Sequence, residues 1–225
     1  MRNLLVRGLE QINNDLIEMG TLIEIAIKRA ITALRTRDIK LAKSVSKYQK
    51  QVDEMEKHIE RAALQILVSQ QPVARDMRLV SSSLKLITDM QRIADQASNI
   101  AEITIQLAGS PYVKSPQRIV EMSEKTIDMV NNSIDAFVNR NKTLAEEVIL
   151  ADDEVDALFV VVRDELINLI NEDKRNGEQA IDLIMIAKYL ERISDHAVNI
   201  CRWVIFFITG EHLEVIEEGE EDLNE

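Results

Sequence analysis

The sequence predicts an all-α protein, built as two tandem three-helix bundles with a pseudo-two-fold internal repeat. Three observations predict it: few helix breakers, long apolar seams spaced by threes and fours, and a segment that occurs twice. Only 6 Gly and 3 Pro occur in 225 residues, and aromatics are 4%; Leu, Ile, Ala, Glu, Lys and Arg dominate, as in long helices. Residues 88–100 read TDMQRIADQASNI and residues 188–200 read KYLERISDHAVNI. Across one hundred positions Arg92, Ile93, Asp95, Ala97, Asn99 and Ile100 match Arg192, Ile193, Asp195, Ala197, Asn199 and Ile200, while Gln91 stands where the second copy has Glu191.

The first helix follows from Leu5, Leu9, Ile12, Leu16, Met19, Ile23, Ala26, Ala30 and Ala33, the seam of a long bundle helix. A second seam runs through Leu41, Val45, Tyr48, Val52, Met55, Ile59, Ala62 and Ile66, with Asp38 before it as N-cap. Pro72 interrupts the pattern. The third seam takes Leu86, Met90, Ile93, Ala97, Ile100 and Leu107, and Gly109 offers a C-terminal stop.

The turn-rich stretch GSPYVKSP, residues 109–116, divides the chain, with Ser115 as N-cap and Pro116 at the first helical position. Beyond it the pattern starts again. A shift of 103 superposes Met19, Arg37, Leu41, Val45, Val52 and Asp53 on Met122, Arg140, Leu144, Val148, Val155 and Asp156. The shift falls to 100 in the third helix of each copy, which a three-residue shortening between the fifth and sixth helices explains, with NEDKRNGE as the approximate counterpart of QQPVARDM. Short connections make consecutive helices antiparallel. The expected organisation is a first bundle over residues 1–109, a second over 110–211 and an acidic tail over 212–225.

A hydrophobic content of 46% suffices for one or two cores. The formal charge of −12 disfavours nucleic acid. The opening residues MRNLLVRGLEQINND lack the apolar stretch of a signal peptide. WVIFFI, residues 203–208, is far shorter than the roughly 20 residues a membrane span needs; it reads as core or subunit contact. A cytoplasmic protein without membrane insertion is expected, and the single Cys201 fits a reducing compartment. No phosphate loop, nucleophile setting or zinc spacing is present, so no enzyme is expected. Arg75 and Arg78 near the third helix's start could attract an anion or simply form local ion pairs. None of His58, His196 and His212 follows a Glu at three residues, so the Glu-x-x-His arrangement of di-iron bundles is missing.

In the sixth helix the seam takes Leu183, Ile186, Leu190, Ile193, Ala197, Ile200, Val204 and Phe207, which places Glu191 and Asp195 away from the core. Being four apart, they repel by roughly 0.2–0.5 kcal/mol unless compensated. Arg192, Arg202 or a cation can compensate. Asp152 and Asp156 repeat the spacing in the fifth helix, and Gln49 and Asp53 take the matching places in the second. Carboxylate pairs converging from two helices supply the hard oxygen ligands that magnesium, manganese, calcium or iron favour. The plainer reading is a solvated face. Repetition at Asp53 and Asp156, and again at Asp95 and Asp195, is what favours a site, with Asn99 and Asn199 one turn beyond.

ERISDHAVNI, its copy QRIADQASNI and QPVARDMRLV together resemble the PhoU family of phosphate-uptake regulators. The resemblance implies two three-helix bundles with Glu/Asp-x-x-x-Asp motifs that bind metal. Glu191 with Asp195, and Asp152 with Asp156, meet the motif in full; Asp53 and Asp95 meet only its second acid, since Gln49 and Gln91 hold the first. It further implies a divalent or trivalent ion (magnesium, manganese, iron or zinc) and a homodimeric negative regulator of the phosphate-starvation response. The implied partners are a sensor histidine kinase and the ATPase subunit of the phosphate ABC transporter. A metal-storage or metal-sensing bundle and a metal-free helical scaffold are the competing readings.

Overall fold

The computed structural model describes residues 2–212. Six long helices follow one another: α1 (Arg2–Thr36), α2 (Ile39–Gln70), α3 (Ala74–Leu107), α4 (Gln117–Asn139), α5 (Lys142–Glu172) and α6 (Gly177–Thr209), with a 3₁₀ turn at Lys174–Asn176 ahead of α6. At 1.5 Å per residue the longest reaches about 50 Å. The seams read from the sequence are the buried faces: Ile12, Leu16, Met19, Ile23, Met90, Ile93, Leu190 and Ile193 are all within 1% of complete burial. Of the acidic tail only residue 212 falls among the described residues; 213–225 lie outside them.

The helix ends show which local signals act. Asp38 caps α2, its Oδ1 accepting from Lys40 N at 2.9 Å and Leu41 N at 3.0 Å. Ser115 does not cap α4. Pro116 itself holds the cap position, with ψ outside the helical range (φ −78°, ψ 23°), and its carbonyl accepts from Val120 N at 3.0 Å, so the ladder starts at Gln117 without a side-chain cap. Gly109 is not the stop of α3 either: the helix ends at Leu107, with Ala108 as a right-handed cap. Arg37 and Arg140, repeat mates after α1 and α4, both turn the chain in the left-handed region, at φ 55° and 54°. Gly210 (φ 85°) does so after α6.

α1, α2 and α3 pack on one another, as do α4, α5 and α6, and the trios join through α3 on α6 and α1 on α4. Asp89 meets His196 and Arg78 meets the Phe207 carbonyl, so α3 and α6 run antiparallel in constant register. A Cβ on Gly20 of α1 would meet Ile134 Cδ1 of α4 at 2.5 Å, so Gly20 is the close approach on the second seam. Equivalent helices meeting antiparallel are what a two-fold relation across the helices produces. The two bundles therefore share one continuous core. This shared seam also settles WVIFFI: Val204, Ile205 and Phe207 are buried, and Phe207 packs edge-on against Phe137 of α4 at 5.1 Å. Arg78 Nε donates to the Phe207 carbonyl at 3.3 Å, which ties the start of α3 to the end of α6.

Candidate metal centre

The site residues fall where two helices of one bundle face each other. α5 carries Asp152 and Asp156 one turn apart, and α6 carries Glu191 and Asp195 one turn apart. Glu191 does not point into solvent as its position on the helical wheel suggests: its side chain is 15% exposed. α6 packs on α3, α4 and α5 together, which leaves it a narrow free face.

The four acids perturb one another. Burial is the main cause lifting the Asp152 carboxyl from 3.8 to about 6, and Asp156 and Asp195 add to it. The Ser194 hydroxyl acts against the shift, but its one proton already goes to the Glu191 carbonyl at 2.7 Å, so the relief it offers Asp152 is small. Burial, then Glu191 and Asp195, raise Asp156. Burial, then Glu191, raise Asp195, against the lowering influence of Lys188, His196 and Arg202. One oxygen in this group, Asp152 Oδ1, is buried without a hydrogen-bond donor.

The compensating charge is neither Arg192 nor, chiefly, Arg202. Arg192 is exposed and lies over the Tyr189 ring. Arg202 donates to Asn199 Oδ1 at 3.4 Å. Lys188 is the counter-charge. Its Nζ forms an ion pair with Glu191 Oε2 and stands 5.2 Å from the Phe159 ring centroid. The i,i+3 spacing of Lys188 and Glu191 is the signal that points to it.

The first bundle gathers the matching residues differently. Gln49 Nε2 donates to Asp95 Oδ1 at 2.8 Å, and Gln91 Nε2 donates to Asp95 Oδ2 at 2.9 Å and to Asp53 Oδ1 at 3.1 Å. Glu56 is a further acid that sequence spacing did not single out; burial, then Asp53 and Glu60, raise its carboxyl. Elsewhere His196 Nδ1 and Asp89 Oδ1 meet at 2.9 Å between the bundles, with side chains 18% and 15% exposed.

The structure thus brings Asp152, Asp156, Glu191 and Asp195 into one electrostatic group and Asp53 and Asp95 into another. Among the described residues no three His, Cys, Asp or Glu side chains stand close enough, as placed, to hold a metal ion. The second group nevertheless has the chemistry of a hard-cation site, with all-oxygen donors and one buried oxygen, Asp152 Oδ1, lacking a donor. The first lacks it, because its carboxylates already accept from amides.

Comparison with known proteins places this architecture. The family model described as "PhoU domain" matches residues 16–104 and again 119–204. This chain belongs to the PhoU family. It is 34% identical over 215 residues to a phosphate-specific transport system accessory protein PhoU homolog of Clostridium acetobutylicum, covering 95% of this chain and 98% of that one. It is 36% identical over 219 residues to the homolog from Aquifex aeolicus, covering 96% and 99%. The crystal structure of PhoU from Pseudomonas aeruginosa superposes with a TM-score of 0.87 at 32% identity, covering 91% of this chain and 99% of that one. PhoU-family membership fits the tandem match, one domain per bundle. Among the described residues no helix is long and apolar enough to cross a membrane.

Proposed function

We propose that this chain is an accessory of the phosphate-specific transport system that restrains phosphate uptake and phosphate-starvation signalling when phosphate is plentiful. The observation that carries the proposal is near full-length similarity, at 34% and 36% identity, to relatives named as accessory proteins of that system. The protein acts without catalysis, in the cytoplasm and as a homodimer. It is an adapter between a sensor histidine kinase and the transporter's ATPase subunit. A two-bundle rod of six long helices suits such a role, since it offers partners extended helical faces.

Metal binding belongs to the second bundle in this reading. Asp152, Asp156, Glu191 and Asp195 hold a hard divalent or trivalent cation, magnesium, manganese or iron in preference to zinc. The ion supplies positive charge between α5 and α6. Without it, Lys188 carries most of that burden, with His196 and Arg202 acting on Asp195. Support comes from the raised carboxyls of Asp152, Asp156 and Asp195 and from the buried Asp152 Oδ1, which has no donor.

The test has two arms. A deletion strain carrying a starvation reporter should show derepression in high phosphate, and normal repression there refutes the regulatory role. Metal analysis of protein purified without chelator should show the ion lost in Glu191→Gln and in Asp195→Asn. Unchanged metal content in both removes the site assignment while leaving the regulatory role standing.

A further inference from the structure

The first bundle has the matching acids but a different solution to their repulsion. Asp53 on α2 and Asp95 on α3 occupy the places that Asp156 and Asp195 take in the second half. Three of their oxygens accept from amides: Asp95 Oδ1 from Gln49 at 2.8 Å, Asp95 Oδ2 from Gln91 at 2.9 Å, and Asp53 Oδ1 from Gln91 at 3.1 Å. A primary amide has two N–H donors. Gln91 therefore engages both acids and bridges the helices, as an ion would.

The arrangement is reciprocal, since Gln49 on α2 reaches the acid of α3 and Gln91 on α3 reaches the acid of α2. These are bonds to ionised acceptors in a half-buried setting, roughly twice as strong as neutral ones. A cation entering here would have to break all three and would find neutral amide oxygens where the second bundle offers Asp152 and Glu191. The lysine counter-charge is absent as well, because Thr88 stands in the place of Lys188.

We infer that Gln49 and Gln91 form a metal-independent clamp between α2 and α3, so that the chain carries one ion-dependent helix junction, α5–α6, and one ion-independent junction, α2–α3. The contrast rests on the metal reading of the second bundle; the clamp itself does not. Loss of the ion then loosens one side of the rod only. The first bundle stays a fixed platform against which α5 and α6 shift, which makes the response to metal one-sided in a molecule of two-fold design.

The experiment is hydrogen exchange on the full chain, stripped with chelator and then titrated with Mn²⁺. It follows the segments around residues 49–53 and 91–95 against those around 152–156 and 191–195. Mn²⁺ should slow the second set and change the first by less than about twofold. In the metal-free protein Gln91→Met, which removes two bonds and adds no charge, should speed exchange in the first set by roughly tenfold or more. Gln49→Glu combined with Gln91→Glu should speed it likewise, and Mn²⁺ should reverse that effect with an additional ion bound per chain.

Protection of the wild-type first set by Mn²⁺ as strong as that of the second overturns the inference. So does unchanged exchange in Gln91→Met. Mn²⁺ without effect on the second set refutes the contrast and the metal reading together, and Gln91→Met then decides the clamp by itself.

Discussion

Replacing Asp152 by Asn should make the metal-free protein more stable at neutral pH. Its carboxyl is lifted from 3.8 to about 6, chiefly by burial and then by Asp156 and Asp195. A shift of about 2 units, at about 1.36 kcal/mol each, sets a ceiling of about 3 kcal/mol on the cost of keeping this charge in the folded state. Water still reaches part of the side chain, and screening reduces that to about 1 kcal/mol. Asn keeps the shape, loses the charge and adds an amide donor at the repeat position of Gln49, which donates to Asp95.

The dependence on pH separates this from a packing effect. A carboxyl raised on folding binds its proton more tightly in the folded state, so the penalty is complete above about pH 6, shrinks as pH falls and is gone below about 3.8. Metal-free wild type should therefore gain on Asp152→Asn as pH is lowered, the gap of about 1 kcal/mol at pH 7 falling to about half at pH 5. Asp156 and Asp195 are raised too and push the wild type in the same direction. Urea unfolding of chelated protein at the two pH values reads this as a difference in midpoint at constant slope. A variant no more stable than wild type at pH 7, or a gap that ignores pH, refutes the reasoning.

Two further substitutions probe the compensation and the repeat. Lys188→Met keeps the apolar stem over Phe159 but leaves the largely buried Glu191 carboxylate without its counter-charge; the metal-free protein should lose about 1–2 kcal/mol, and excess Mn²⁺ should close most of the gap in the same unfolding assay. Arg140→Gly relieves a side chain held at φ 54°; thermal unfolding should show a gain of about 0.5 kcal/mol, after the extra chain entropy of Gly in the unfolded state is subtracted.

The helices were legible because each seam repeats at the spacing of a bundle helix over more than twenty residues, and nothing local contradicts it. Caps were less so. Asp38 acts as read, but Ser115 does not, because Pro116, one residue later, takes the cap position and its carbonyl opens the ladder. The pairing of acids was legible as well, since residues four apart on antiparallel neighbours must share a face. What spacing within one helix could not give was the depth of that face. Glu191 lies away from its own bundle's seam, yet three helices crowd α6, so its carboxylate is largely buried. Lys188 was missed for a related reason, as it is unremarkable on a helical wheel and matters only once Glu191 is known to be buried.

The glutamines carry the more general point. Read against a metal-binding motif, Gln49 and Gln91 are two losses that weaken a site. Read with the distances, they are a matched pair, because each reaches an acid on the opposite helix. One replacement alone would leave three acids around a single amide, with a carboxylate lacking either a donor or a cation. Both together close the network: two acids, two amides and no net need for an ion. Like-charge repulsion between the helices thus admits two solutions, a counter-cation or a change of donor type, and the duplicated architecture presents both within one chain.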